Sequence, residues 1–332
     1  MRSVLGVSWL FSAVLACTPG GVDDAGAPAP LTFRAVSFNT GTTDGLAHDD
    51  PPDDGYTSAE AAFSDAHYGN GLAWRAVVDD TRAYLAEIAP DVVAFQELFH
   101  SPACADVPPE ARVGFVCETW SAGDPSVVLE ILGPDFAVAC HLEKPDKCLG
   151  VRRSFAAIDG CASGLCEDAL DGARVPDCGG GSRIGRAHLT LDDGRALTVV
   201  NVHGSSGVTA SDMECRRRQF EQVFVDLDGA PAADGEVNLV LGDLNTDPGR
   251  LFGADPSADT ILEHVGNDRP FAFLSDVGEA VTATYAGLFN IDHAMSDVLT
   301  GACESAGVDG RAPVSDVRYF DHKPLVCDVT LP

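Results

Sequence analysis

The chain reads as a mixed α/β protein, a four-layer α/β/β/α sandwich with two sheets packed face to face and a helical layer on each outer face. Three observations predict this. Short apolar runs of strand length recur along the 332 residues, amphipathic stretches of helical spacing lie between some of them, and several runs close on an acidic, amide or imidazole side chain. No period of 20 to 50 residues repeats, which excludes a solenoid or a propeller.

The elements are justified in chain order. Met1-Arg2 followed by the apolar stretch Val4 to Ala16 reads as a signal peptide over residues 1–16, too short to span a bilayer. Ala13-Val14-Leu15-Ala16-Cys17 has the form of a bacterial lipoprotein cleavage box, with lipid expected on Cys17; an ordinary cleaved signal is the alternative. Residues 17–30, rich in Gly, Ala and Pro, then form a flexible tether, and 31–332 a single folded domain. Phe33 to Asn39 is a strand that stops on an amide. The acidic stretch 40–71, with Pro51 and Pro52 inside it, reads as a loop that covers the site or holds calcium; it lacks the Gly and terminal Glu of an EF-hand. Leu72 to Ile88 carries Val77, Val78, Leu85 and Ile88 at helical spacing and stops before Pro90. Asp91 to Glu97 is a buried strand that delivers a carboxylate, and 98–132 is loop-rich with cysteines.

Strands are expected at Phe136 to His141, Gly150 to Ile158, Ile184 to Leu191 and Leu197 to His203, the last two joined by the turn Asp192-Asp193-Gly194. Ser211 to Leu227 is a helix, and Val237 to Asp243 is an apolar strand running into Asp243-Leu244-Asn245. Side chains alternate along a strand, so Asp243 and Asn245 are expected to share a face at its end. Further strands are expected around Thr282 to Tyr285, Asn290 to Ala294, Pro313 to Tyr319 and Pro324 to Val329. Asp292 and the pair Asp321-His322 complete a set of strand ends suited to a metal ion and a phosphate. His67, His141 and His264 fall outside that pattern and receive no role.

Charge narrows the function classes. A net charge of −30 with only three lysines, Lys144, Lys147 and Lys323, argues against broad electrostatic capture of nucleic acid, though not against a nuclease. Arginines gather in Gly-Val-Arg152-Arg153-Ser and Gly-Ser-Arg183-Ile-Gly-Arg186; Arg153 and Arg183 are candidate grips on a substrate phosphate, with a solvated strand edge as the alternative. Arg216-Arg217-Arg218 reads as helix surface. Of the 11 cysteines, ten remain once Cys17 is set aside for lipid, an even number that suits an exported chain with up to five disulfides. Cys104 with Cys117, Cys140 with Cys148 and Cys161 with Cys166 are the first pairs to expect, and structural zinc is disfavoured because no Cys-x2-Cys pair is present.

Six short motifs in order, Ser-Phe-Asn39, Val-Ala-Phe-Gln-Glu97, Val-Val-Asn-Val-His203, Leu-Gly-Asp243-Leu-Asn245, Ile-Asp292-His-Ala and Asp321-His322-Lys-Pro-Leu, resemble the endonuclease/exonuclease/phosphatase superfamily from Phe33 to Val329. The resemblance implies that Glu97 is the principal ligand of Mg²⁺ (or Mn²⁺ or Ca²⁺), with Asn39 and Asp321 nearby. It implies that Asp243 orients or deprotonates the attacking water, Asn245 holds a phosphate oxygen, and His322, steadied by Asp292, donates to a nonbridging oxygen. His203 then contacts the phosphate or protonates the leaving oxygen. The chain departs from the family in two places: Phe320 stands where a small residue usually precedes the Asp-His pair, and Arg152-Arg153-Ser lacks the usual partner of the phosphate-binding histidine.

The expected activity is that of an exported metal-dependent phosphoesterase cutting diesters, nucleic acid among them. A lipid-headgroup phosphodiesterase, a phosphomonoesterase and an inactive binding protein on the same fold are the alternatives. The expected partners are a phosphate-ester substrate and, only through a lipid on Cys17, a membrane; the chain is expected to be a monomer anchored at the outer membrane, or periplasmic or secreted.

Overall fold

The computed structural model describes residues 28–41, 48–49, 57–305 and 320–332. The signal peptide, Cys17, most of the tether, much of the acidic stretch and the strand expected at 313–319 lie outside the described residues.

Among the described residues, thirteen strands and five α-helices follow one another. They are β1 (Leu31–Asn39), α1 (Ser58–Tyr68), α2 (Arg75–Ile88), β2 (Val92–Gln96), α3 (Val127–Leu132), β3 (Phe136–His141), β4 (Lys144–Arg152), β5 (Ala156–Ile158) and β6 (Leu165–Cys166). After them come β7 (Ile184–Leu191), β8 (Ala196–His203), α4 (Ala210–Phe224), β9 (Asn238–Asp243), α5 (Pro256–His264), β10 (Ala272–Phe273), β11 (Asp292–Ser296), β12 (Thr300–Ser305) and β13 (Leu325–Leu331). One sheet has the order β12-β13-β1-β2-β4-β3-β6 and the other β10-β11-β9-β8-β7-β5.

The four layers follow from side-chain alternation. On β1, Phe33 and Ala35 face the second sheet, where they meet Val199, Leu239 and Leu241; Val36 and Phe38 face outward against Val77, Val78 and Leu85 of α2. The second sheet does the same, turning Val200, Val202 and Val240 toward Phe220 and Val223 of α4 and Ile261 of α5. Each central strand is therefore buried on both faces, which is why these segments read as continuous apolar runs. One polar brace crosses the inter-sheet core: Gln96 Nε2 donates to Asn201 Oδ1 at 2.8 Å, and Asn201 Nδ2 donates to the carbonyls of Phe95 and Cys148, each at 3.0 Å.

Several expectations need correction. The stretch 40–71 is not loop throughout, because beyond the prolines Thr57 and Glu60 form a capping box that starts α1. The helix expected from Leu72 begins as a 3₁₀ turn, Gly71–Ala73, and becomes α-helical only at Arg75. Gly150 to Ile158 is two strands in different sheets; a turn closed by Phe155 N donating to Arg152 O at 2.9 Å carries the chain from one to the other. Thr282 to Tyr285 forms no strand, only isolated bridges from Tyr285 to Phe289 and His322. The loop-rich region contains α3, and α5 was unforeseen although Asp255 and Pro256 cap its start. Arg216 is not on the surface. It is buried, with Nη2 donating to Asp255 Oδ2 at 2.8 Å and Nη1 to the carbonyls of Ser205 and Gly207 at 2.7 and 2.8 Å.

All ten cysteines of the described residues pair. The three expected bridges form, and Cys178–Cys215 and Cys303–Cys327 join them. Five disulfides mark a chain that matures outside the reducing cytoplasm. Among the described residues no helix is long and apolar enough to cross a membrane.

Candidate active site

β1 and β2 run parallel, as do β8 and β9, and contacts from Asn39 to Asp243 and from Glu97 to His203 bring the carboxyl ends of all four strands to one edge of the sandwich. Register does the rest: Asp243 pairs with His203 on one side and, across an antiparallel ladder, with Asp292 on the other.

Asp243 is the hub. Its Oδ2 accepts from Asn39 Nδ2 at 3.0 Å and from Asn245 Nδ2 at 2.9 Å, while Oδ1 accepts from the Asn245 backbone N–H at 2.7 Å. Asp243 and Asn245 thus converge as expected, but not by strand alternation. The strand ends at Asp243, and Asn245 folds back in a left-handed conformation at φ 52°. Glu97 leaves β2 in the same way, also at φ 52°. Such backbone is uncommon for side-chain-bearing residues and clusters at functional sites. His203 Nε2 lies 3.1 Å from Glu97 Oε1 and 3.9 Å from Asp243 Oδ2. His322 is held from behind, its Nδ1 2.9 Å from Asp292 Oδ2, and its Nε2 reaches within 3.8 Å of Asp243 Oδ2.

The electrostatics follow from this crowding. Burial would make the His322 imidazolium less stable, but the charges of Asp292 and Asp243 outweigh it and push the group up to about 10. Burial, reinforced by the charge of Asp292, raises Asp243 above its ordinary value. Asp321 is pushed up to about 6 by burial and by the charges of Glu97 and Asp243. Glu97 moves the other way: burial would raise it, and the hydrogen bond and charge of His203 pull it down.

The oxygen donors are arranged around a gap. A Cβ on Gly41 would meet Glu97 Oε2 at 2.1 Å and Asn39 Oδ1 at 3.1 Å, so these two oxygens converge over a residue with no side chain. Asp243, Asp292 and His322 also offer one ligand atom each within 4.8 Å of one another, and Asp292 Oδ1 is buried without a partner.

Arg183 joins the site because its carbonyl accepts from the His203 backbone, and its Nη1 lies 3.4 and 3.3 Å from the two ring nitrogens of His203. Arg153 does not. β4 runs antiparallel to β2, so its carboxyl end points away from the cleft, and Arg153 donates to the carbonyls of Pro134 and Ser163 at the far end. Sequence reasoning missed the segment that holds the Asp-His pair. Ala286 N donates to Asp321 O at 2.7 Å, Lys323 N to Thr284 O at 2.8 Å, and the Tyr285 ring packs 4.8 Å from the His322 ring. Thr284 Oγ1 accepts the N–H groups of Ile291 and Asp292, each at 3.1 Å. Asn70 was missed too; its amide donates to the Glu97 carbonyl and its Oδ1 accepts from Leu72 N at 2.9 Å. An Asn two residues before a buried Leu was its only sequence signal.

A sequence profile described as the Endonuclease/Exonuclease/phosphatase family matches residues 37–297, most of the chain. The chain belongs to this family. It is accordingly a phosphoesterase of the metal-dependent type, and its two sheets with flanking helices are the family sandwich. No curated protein sequence matches it. Among solved structures, ANGEL2, a 2′,3′-cyclic phosphatase in complex with adenosine-2′,3′-vanadate, is similar at 12% identity and TM-score 0.54, covering 91% of this chain and 96% of its own. An endonuclease/exonuclease/phosphatase family protein from Bacteroides thetaiotaomicron is similar at 12% identity and TM-score 0.52, with 92% and 97% covered. A beta toxin from Staphylococcus aureus is similar at 14% identity and TM-score 0.52, with 89% and 99% covered. At these identities the likeness is one of fold.

Proposed function

We propose that residues 31–332 form the catalytic domain of an exported phosphodiesterase that hydrolyses the P–O bond of a diester, with nucleic acid in single-stranded or short form as the substrate class. The observation that carries this reading is the fixed Asp243 carboxylate, flanked by two histidines and two asparagine amides.

The residues suit a divalent hard cation. Glu97 Oε2 and Asn39 Oδ1 converge over Gly41, and the half-buried Asp321 carboxyl lies close enough to feel the charges of Glu97 and Asp243, an oxygen-rich set suited to a cation. The Asp243, Asp292 and His322 group is close enough to hold an ion, but an imidazolium clamped by Asp292 is a poor ligand. Glu97, Asn39 and Asp321 are therefore the ligand set. A Mg²⁺, Mn²⁺ or Ca²⁺ ion held by these residues would supply Lewis-acid polarisation of a phosphoryl oxygen and would offset its charge.

Asp243, raised by burial and oriented by Asn39 and Asn245, accepts a proton from water as the water oxygen attacks phosphorus. Asn245 orients a nonbridging oxygen. His322 donates to another as charge accumulates on it, and Asp292 keeps its ring charged and aimed. The bond to the leaving oxygen breaks, and His203, with Arg183 against its ring, returns a proton to that oxygen. The products are a phosphomonoester and an alcohol.

A second reading has one observation behind it. Leu288 and Phe289, 64% and 40% exposed, lie beside Tyr285 near His322, an apolar tip suited to a lipid surface. The test is product release with Mg²⁺ from a single-stranded oligonucleotide, duplex DNA, RNA, sphingomyelin vesicles and a nitrophenyl monoester, with Asp243→Asn as control. Faster release from the single-stranded oligonucleotide than from vesicles or monoester is expected. Release from vesicles alone would replace the first reading with the second.

A further inference from the structure

The connection between α1 and the 3₁₀ turn, residues 69–72, touches both strand ends that carry candidate metal ligands. Gly71 N donates to Gly41 O at 2.8 Å, and Gly41 N in turn donates to Asn39 Oδ1 at 3.0 Å. Asn70 reaches the other strand end, its Nδ2 donating to the Glu97 carbonyl. The connection is itself fixed: Ser64 Oγ of α1 donates to Asn70 O at 3.1 Å, and Ser64, Asn70 and Leu72 are all buried.

Asn70 does two separate jobs with one side chain. Its Oδ1 accepts from Leu72 N at 2.9 Å and caps the 3₁₀ turn, a task that serine, threonine or aspartate does as well. Its amide goes to Glu97. Among good capping residues only asparagine carries acceptor and donor on separate atoms, so that it caps its own turn and bonds another strand at once. What the amide grips is a left-handed backbone, since Glu97 leaves β2 at φ 52°, uncommon for a residue with a side chain. The other bond to that carbonyl, from Thr40 Oγ1, is long at 3.4 Å.

Resting on the reading of Glu97 and Asn39 as metal ligands, we propose that Asn70 is a positioning residue for the cation site. By bonding the Glu97 carbonyl it fixes the left-handed turn that brings Glu97 Oε2 beside Asn39 Oδ1 over Gly41. Without the amide, the backbone at Glu97 is free to relax toward an ordinary conformation, and the carboxylate turns with it. The site then keeps every ligand and loses their alignment, so part of the binding free energy goes into ordering them. Partners standing behind metal ligands typically contribute about 10–100-fold in affinity.

The experiment measures Mn²⁺ binding to the full chain by calorimetry, without substrate, beside the Tm of the metal-free protein. Asn70→Ser keeps an oxygen for Leu72 N and removes the amide. Its metal-free Tm is expected to stay close to wild type while the Kd for Mn²⁺ rises about tenfold or more. If Asn70→Ser melts below the assay temperature, Asn70→Thr takes its place, because the extended backbone at φ −162° accepts a β-branched residue. Melting of both would make Asn70 a structural cap and overturn the proposal. An unchanged Kd in Asn70→Ser, with binding weakened in Glu97→Gln, would overturn the proposal and leave the ligand set standing. No Mn²⁺ binding in the wild type, or binding untouched in Glu97→Gln, would overturn the ligand set and the proposal with it.

Discussion

The two walls of the cleft are made in different ways. The groups at the ends of β1, β2, β8, β9 and β11 sit on paired strands and are fixed by bonds to one another, with Asp243 accepting three of them. The neighbouring wall, from Leu98 to Leu132, is a run of 3₁₀ turns and one short helix closed by Cys104–Cys117. Sheet register positions the first wall to within a hydrogen bond, whereas covalent and local contacts shape the second. In this molecule the candidate groups for bond cleavage stand on paired strands, and the wall beside them stands on loops.

Substitutions in the strand-end wall should cost the most turnover. Asp243→Asn is expected to lower kcat about 10²–10⁴-fold with little change in KM or Tm, because it removes the proton acceptor while keeping the shape. An equal loss in substrate affinity would assign Asp243 to binding instead. Gly41→Ala should come next. The added methyl meets Glu97 Oε2, so the carboxylate must move, and the metal concentration needed for half-maximal activity should rise about 10–100-fold. An unchanged metal titration would remove Glu97 from the ligand set.

Changes behind or beside that wall should act mainly on stability. Asp255 supports the turn after His203 through Arg216. Burial would raise its pKa, but the bonds from Ser257, Thr246 and Arg216 outweigh this and hold it below 3.8. Its contribution is therefore present above 3.8 and lost as pH falls through the lowered native value. Asp255→Asn should destabilise the protein by about 3–5 kcal/mol at pH 7. Its Tm deficit against wild type should shrink as the pH is taken below 3; a deficit independent of pH would mean that the carboxylate charge is irrelevant. Smallest in turnover is the double substitution Cys104→Ala with Cys117→Ala in the loop wall. It should lower stability by up to about 3 kcal/mol while leaving kcat on a phosphodiester within a few-fold. A collapse of kcat there would erase the distinction between the walls.

The same contrast decides what could be read from the chain alone. The sandwich was legible because strands buried on both faces leave unbroken apolar runs, and the polar group closing a run marked Asn39, Glu97, His203 and Asp243 directly, whereas Asp292 opens β11 and reaches the same edge because that strand runs antiparallel to β9. Their mutual bonds were not legible, since Asn245 and Glu97 arrive through left-handed turns that no alternation rule anticipates. Arg153 was misplaced because charge clustering carries no information on strand direction. Arg216 looked like surface because its partner Asp255 lies 39 residues away. Thr284, Tyr285 and Asn70 act by holding neighbours through contacts that join distant segments, and spacing does not reveal such contacts.

Chelation and readdition test the central claim most directly. Purified protein is stripped with EDTA, dialysed, and assayed on a single-stranded oligonucleotide and a nitrophenyl phosphodiester before and after addition of Mg²⁺ or Mn²⁺, beside Asp243→Asn treated identically. Activity should vanish on stripping, return with the metal in the wild type, and remain at least about 10²-fold lower in the variant. Diester hydrolysis that persists in the stripped protein, or that returns equally in Asp243→Asn, would contradict a metal-dependent attack by water activated at Asp243.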